Sequence, residues 1–580
     1  MTLALVPPFQ DVRPAPPRPA LRPSRALPWL LAAGFLAQAA ARFWSAWART
    51  APAANPDETG YLVAARWLAG GPGADLSGNT LYQGGYPLLL VPAYWTSHDP
   101  ATVYTIVMVI NALLGAALFP LGYAAARRLG LARRPALPLA FGAASLPATT
   151  FFGAFALADA VLPAVVLAWL LALDRFVRSG RTVDAATASL IAAYAATVHT
   201  RGMVLLAVHV AALAVTAVAR RRRIRAAWPG CAAGIAGYAA GAALNASVRA
   251  ELYPGGARDL AGILESRLTT VPGQAWALSG AAGQLWYLVV STWGLGGAGL
   301  AAVTAMLLRR RAPAADRLMA GVLLAATCAI AYASSAALPD EHRVGNFAYG
   351  RYLSCLALVY ALAGAAALMR AGMRTAIGLA AASALLAVVT GLWVAAYAGA
   401  RLRTHTFIAF DFPEVTFLAG DRGALHLRAT TLAACVLLCG LAASSRLGRR
   451  QAVPVTAAAL AAVNAAALAF ALGLPARRAR PAPPFPGPEA GGVVADRSLH
   501  WAVRTALHHP VWWTRVGTVD IRDGRPPAPG VCTVLVPLPD GRPPARSWPA
   551  RPAGWRPHEE RTWSIGWVSW HAPSCGDADQ

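Results

Sequence analysis

Two carboxylates stand side by side in the stretch Asn55-Pro56-Asp57-Glu58-Thr59-Gly60-Tyr61, just beyond the first of about thirteen apolar segments. Acids at the mouth of an apolar bundle can take a proton from an attacking hydroxyl or orient a ligand or cation beside it. Pro56 suits the first turn of a helix, and acids in that turn gain from the helix dipole. Asp57, Tyr61 and Ala65 then share one face. At a membrane surface partial desolvation suits a working base. The plainer alternative is that both acids only cap a surface helix.

A second constellation, Asp340-Glu341-His342-Arg343 followed by Tyr349-Gly350-Arg351-Tyr352, precedes a later apolar run. Arg351 stands where a helix turns inward, at the depth of a lipid phosphate. A guanidinium there offers planar, multidentate donors to a phosphate oxyanion, and the competing role is an interfacial anchor between tyrosines. Arg201, in Val198-His199-Thr200-Arg201-Gly202, is the one charge in its apolar hairpin, and an isolated charge at that depth calls for a partner. Asp159 can meet an Arg, hold a metal or cap its helix, the cap being preferred. His98, His199, His209, His342 and His405 show no metal-ligand spacing, which argues against a structural zinc.

The elements that must position these groups are membrane helices. Of 580 residues, 57% are hydrophobic and 13% charged, with mean hydropathy +0.46, far too apolar for a soluble chain of this length. All 51 basic residues are Arg, so no lysine Schiff base or P-loop lysine is available. The net charge of +25 does not signal nucleic acid, because the Arg residues fall in short clusters between apolar runs, as orientation signals do.

Residues 1–25, rich in Pro and Arg, read as a disordered cytoplasmic lead. A first span follows over 26–41, whose Ala-Gln-Ala-Ala end also resembles a signal-peptidase site. Further spans are expected near 100–126, 135–152, 157–173, 185–200, 203–219, 228–247, 284–307, 317–336, 352–369, 375–398, 429–443 and 452–474. Gln83 to Trp95 reads as a re-entrant or interfacial segment. Loops holding Arg127, Arg128, Arg133 and Arg134, then Arg175 to Arg181, Arg220 to Arg223 with Arg225, Arg309 to Arg317, Arg370 with Arg374, and Arg446 to Arg450 are short and basic, hence cytoplasmic. The opposite loops hold Asp57, Glu58, Asp75, Glu251, Asp259, Glu265, Asp340, Glu341, Asp411, Glu414 and Asp421.

The chain thus divides into a lead (1–25), a transmembrane domain (26–474) whose first outer loop is 44–99, a Pro-rich linker (475–490) and an extracytoplasmic domain (491–580). The last reads as small α/β, with strands at Val493-Val494 and Val531 to Val536 and a helix from Leu499 to Leu507. Its Trp residues, among them Trp512, Trp513, Trp563, Trp567 and Trp570, fit a domain core or membrane interface better than a sugar-stacking platform. Cys532 and Cys575 can pair if this domain is outside.

Asp57-Glu58-Thr59-Gly60-Tyr61 with Tyr86-Pro87, the multi-span bundle and Gly350-Arg351-Tyr352 resemble the GT-C superfamily of glycosyltransferases, which includes the protein O-mannosyltransferases and lipid A aminoarabinose transferases. The likeness covers roughly 26–400. It implies an all-α polytopic bundle in a bacterial plasma membrane, taking a sugar from a polyprenyl phosphate to a hydroxyl of a lipid, glycan or protein on the outer face. Carried onto this chain, it makes Asp57 the general base and Glu58 its neighbour, orienting the acceptor or a divalent cation (Mg or Mn). Tyr61, Tyr86, Arg201, Arg343, Tyr349, Arg351 and Tyr352 are the substrate-binding candidates. A transporter or lipid flippase is the main rival, but it would place its polar groups near the midplane. A scaffold or sensor working through the Trp-rich tail is the second.

Overall fold

A computed structural model describes residues 26–219, 224–448, 451–473, 491–524, 526–562 and 565–575. The N-terminal lead, Arg220 to Arg223, the Arg225 side chain, Arg449, Arg450, the Pro481 to Pro488 linker and Trp563 lie outside the described residues.

Apolar composition makes helices here because every backbone group in hydrocarbon must be satisfied internally. Among the described residues nine helices are long and apolar enough to cross a membrane, or eleven if the bent pairs at 133–154 and 271–308 each count as one span. The helices Leu162–Ser179 and Thr182–Val198 fill the two remaining places of the expected thirteen.

Helix α1 (Ala26–Ala46) runs past the expected end at Ala41, because Arg42 is buried rather than a terminator. Its guanidinium donates to the carbonyls of Ala144 and, at 2.9 Å, Thr149, while Gln38 donates to Phe141 O at 3.0 Å. These carbonyls flank the 65° bend between Arg133–Ala144 and Pro147–Ala154, so α1 satisfies backbone groups that the break sets free. The expected single span 284–307 is a correction of a different kind. Val271–Val290 and Leu295–Leu308 meet at 111°, because Trp293 (φ 57°) and Gly294 (φ 80°) adopt left-handed backbone and end the first helix.

The first bend opens onto the end of the bundle that carries the acidic first loop. After it, the chain passes through short turns at Phe152–Ala154 and Ala158–Ala160 before Leu162–Ser179 begins. Helices α2 (Asp57–Leu68) and α3 (Gly85–Thr96) form the first loop, and α4 (Pro100–Ala116) returns into the bundle, with Asp99 capping its first turn. At the other end of Leu162–Ser179, Asp174 bonds Arg128 and Arg178, and Arg178 also bonds Asp316. Three of the loops expected on one side therefore meet, about 27 Å of helix away from the acidic loops.

The C-terminal region folds as a five-stranded sheet of β1 (Gly492–Asp496), β2 (Gly517–Val519), β3 (Val531–Pro537), β4 (Arg556–Thr562) and β5 (Ile565–His571). The order is β2-β1-β3-β5-β4, parallel across the first three and antiparallel across the last three. The helix Trp501–Leu507 links β1 to β2. Trp548, Trp567 and Trp570 are buried in its two cores, which makes them packing rather than a platform. Cys532 and Cys575 are joined in a disulfide.

Candidate active site

Asp57 is the first residue of α2, so its carboxylate stands at the positive end of that helix. Its Oδ2 lies 2.8 Å from Arg351 Nη1, and its Oδ1 accepts from Tyr82 OH at 3.1 Å. Tyr82 was not singled out in the sequence. The signal for it was Gly60, where a Cβ would collide with the Tyr82 ring, so only glycine lets that ring lie across α2. A similar constraint holds at Gly350, against the ring of Tyr287, one residue before Arg351.

Arg351 has a second partner. Its Nε lies 2.7 Å from Asp159 Oδ2, and Asp159 Oδ1 lies 2.7 Å from Arg201 Nη2. The preferred helix-cap reading of Asp159 is thereby overturned: the side chain caps nothing and joins two buried guanidiniums, of which Arg201 would otherwise have no counter-charge. Burial pushes this carboxyl up, but Arg201 and Arg351 outweigh it and hold the group below its ordinary range. Arg201 also donates to the carbonyls of Arg351 (3.2 Å) and Tyr352 (3.3 Å), tying the two constellations together.

The exposures differ sharply along this chain of charges. The Asp159, Arg201 and Arg351 side chains are 2%, 3% and 8% exposed, whereas Asp57 is 37% exposed. Arg351 is thus held rigidly from behind and paired in front with a carboxylate that can leave. Tyr349 OH accepts from Arg351 Nη1 at 3.3 Å, its ring lies 4.8 Å from that of Tyr352, and Phe152 lies beneath the Arg351 guanidinium.

The other candidates fall around this centre. Glu58, fully buried, accepts from the backbone N–H groups of Ala53 (2.7 Å), Ala54 (2.6 Å) and Ala156 (2.7 Å) and from Tyr104 OH. Four donors fill both its oxygens. Tyr86, also fully buried, gives its hydroxyl to Asn111 at 2.8 Å, and Tyr61 packs edge-on between Tyr82 and Tyr86. Arg343 stands to one side, 2.6 Å from Glu341 and 4.0 Å from Asp411. Burial, opposed by Arg343 and Arg351 and reinforced by Asp57 and Glu341, pushes the Asp411 carboxyl up to about 6.

The donor set does not fit a divalent cation. Glu58 has no free lone pair turned outward, Asp57 and Asp159 face guanidiniums, and no group of three or more His, Cys, Asp or Glu side chains among the described residues is arranged to hold a metal.

The fold, a multi-span helical bundle followed by a small sheet domain at the C-terminus, is the one that the sequence resemblance implied. Among solved structures it is similar to ArnT from Cupriavidus metallidurans bound to undecaprenyl phosphate, with a TM-score of 0.56 and 17% identity over 95% of this chain and 100% of that one. Apo ArnT from the same organism gives 0.52 and 16%, covering 94% and 98%. Arabinosyltransferase EmbB from Mycobacterium smegmatis gives 0.44 and 17%, covering 93% of this chain and 47% of that one. No protein-family model and no curated protein matches the sequence.

Proposed function

We propose that the protein is a membrane glycosyltransferase that moves a sugar from a polyprenyl phosphate to an acceptor hydroxyl at the outer membrane surface. The observation that carries this reading is the split pairing of Arg351: Nε to buried Asp159, Nη1 to half-open Asp57. A phosphodiester oxygen arriving at Nη1 competes with Asp57 for the same donor. Asp159 keeps the guanidinium in place, so the phosphate is bound and the base is set free in one event.

The acceptor O–H then attacks the anomeric carbon, its proton passes to Asp57, and the bond from that carbon to the phosphate oxygen breaks. The departing polyprenyl phosphate gains a negative charge, which Arg351 stabilises. Direct attack inverts the anomeric configuration, which the product's anomeric NMR signal reads. Tyr82 aims Asp57, while Glu58 holds the start of α2 and takes no part as a ligand. That this likeness includes ArnT with undecaprenyl phosphate in place supports a lipid-phosphate donor here.

The test is twofold. Mass spectrometry of cell-envelope glycans and lipid-linked sugars, with and without the intact gene, identifies the donor as the lipid-phosphate sugar that accumulates. Asp57→Asn lowers transfer by about 10² to 10⁴ with the protein still inserted. Full activity of that variant would sink the assignment of Asp57.

A further inference from the structure

The position of Asp57 depends on what holds α2, and α2 is gripped at both ends. At the first, Glu58 collects its four donors, one of them Tyr104 of α4. At the last, Arg66 reaches out of the membrane domain altogether. Its Nη1 donates to His508 O at 2.7 Å and to Val511 O at 3.0 Å, both in the C-terminal domain, while Nε donates to Pro72 O at 2.8 Å. A buried guanidinium shared among three carbonyls of two separate segments is a directional lock.

The same short segment touches α4 and the residues just ahead of it. His98, before α4, stacks on Trp512 with centroids 4.9 Å apart and planes 10° from parallel. His509 meets the ring of Tyr104 edge-on at 6.1 Å, and Tyr104 is the residue whose hydroxyl holds Glu58. Both rings are buried, His508 Nδ1 and His509 Nε2 without a hydrogen-bond partner, and His509 also bonds the Pro100 carbonyl at the start of α4. Residues 508–513 therefore bear on α2 through Arg66, on the residues ahead of α4 through His98, and on α4 through Tyr104, which holds Glu58 next to Asp57.

We infer that the C-terminal domain is a clamp on the reaction loop. Docking of 508–513 sets the position of Asp57 and through it the rate of transfer, with Arg66 and His509 as positioning residues. This rests on the reading of Asp57 as the base. Coupling of this kind is reciprocal, so a phosphate bound at Arg351 that orders the loop also tightens the clamp.

The experiment uses the purified full chain, wild type against Arg66→Ala and, separately, His509→Ala, with hydrogen exchange followed at 53–62 and 508–513. Undecaprenyl phosphate is the added ligand, and turnover of the accumulated lipid-phosphate sugar is measured alongside. Exchange at 53–62 is expected to rise by about tenfold in each variant, the scale of losing one or two hydrogen bonds or an aromatic contact. The rate constant kcat falls by about tenfold or more with KM for the lipid changed less than about threefold, the signature of a misplaced base rather than a lost binding group. Arg66→Lys returns a donor to the carbonyls and recovers part of both losses. Undecaprenyl phosphate raises protection at 508–513 in the wild type. Unchanged exchange at 53–62 in both alanine variants, or a loss confined to KM, overturns the clamp. Because exchange reads the clamp without turnover, an active Asp57→Asn removes the base and a quiet 53–62 removes the clamp, and the two results are told apart.

Discussion

Acidification should pull the C-terminal domain and the opposite wall of the site in contrary directions. Burial, with Arg66, Arg504 and Arg515 against and Asp75 in favour of charge, lowers His508 to about 3. Burial and Arg66 lower His509 to about 4, against Asp99 and a bond to the Pro100 carbonyl. Docked, both rings are neutral; undocked, each takes a proton near its ordinary 6.5. The undocked state binds more protons, so docking is at full strength above 6.5 and weakens as pH falls below it. At pH 5.5 each histidine contributes about 1.4 kcal/mol toward undocking, about 3 kcal/mol together, or roughly a hundredfold in the docking equilibrium. On the other wall, burial raises Asp411 to about 6 and, against a bond from Tyr287, Glu414 to about 7. Raised carboxyls carry the reverse sign: their stabilisation is present at low pH and lost as pH rises through those values. Going from pH 7.5 to 5.5 gains that loop about 1 kcal/mol from Asp411 and about 2 kcal/mol from Glu414. Hydrogen exchange at the two pH values, corrected for intrinsic rates, therefore shows protection falling at 508–513 and rising at 409–419. Protection at 508–513 that holds or grows at pH 5.5 would refute the reasoning, and the loop provides the internal control.

Three further outcomes follow from the same contacts. Asp159→Asn leaves Arg201 without a counter-charge and costs about 3 to 5 kcal/mol in a denaturation midpoint, whereas the more exposed Asp57→Asn costs under about 1 kcal/mol. Equal losses would mean that Asp159 is not the buried hub. Tyr82→Phe removes one hydrogen bond to Asp57 and lowers kcat by about three- to tenfold with the fold intact, read by steady-state transfer. Glu58→Gln sets an amide N–H₂ against backbone donors and destabilises the first loop by about 1 to 3 kcal/mol, seen as earlier proteolysis within 47–84.

Much of the bundle was legible because hydrocarbon leaves the chain few choices, and thirteen apolar runs correspond to helices or bent helix pairs. What escaped were the places where a polar residue changed the meaning of an apolar pattern. Arg42 reads as the end of a span, yet its length and donors let it repair the break at Ala144 to Thr149, a contact about a hundred residues away. The 284–307 run looks continuous because Trp293 and Gly294 carry no charge, and only their left-handed backbone shows that two helices meet there. In the tail, β4 was invisible: Arg556 to Thr562 is mostly exposed and has no apolar alternation, and its register comes entirely from pairing with β5.

The site divides along the same line. Asp57, Arg201 and Arg351 announce themselves as charges bordering apolar runs, since each demands compensation that nothing nearby in sequence supplies. Which charge compensates which is a property of the tertiary fold, and here it inverted two assignments. Asp159, taken for a cap, is the hub, because its position after the 145–147 break brings it between two arginines separated by 150 residues. Glu58, expected to orient the acceptor or a divalent cation beside Asp57, faces the interior instead. Successive residues on a helix point about 100° apart, so when Asp57 faces the cleft, Glu58 faces the interior, where unpaired N–H groups of the irregular 53–54 and 156 backbone await an acceptor. A pair of adjacent acids at a helix start thus separates naturally into one carboxylate that anchors the loop and one that is left to react.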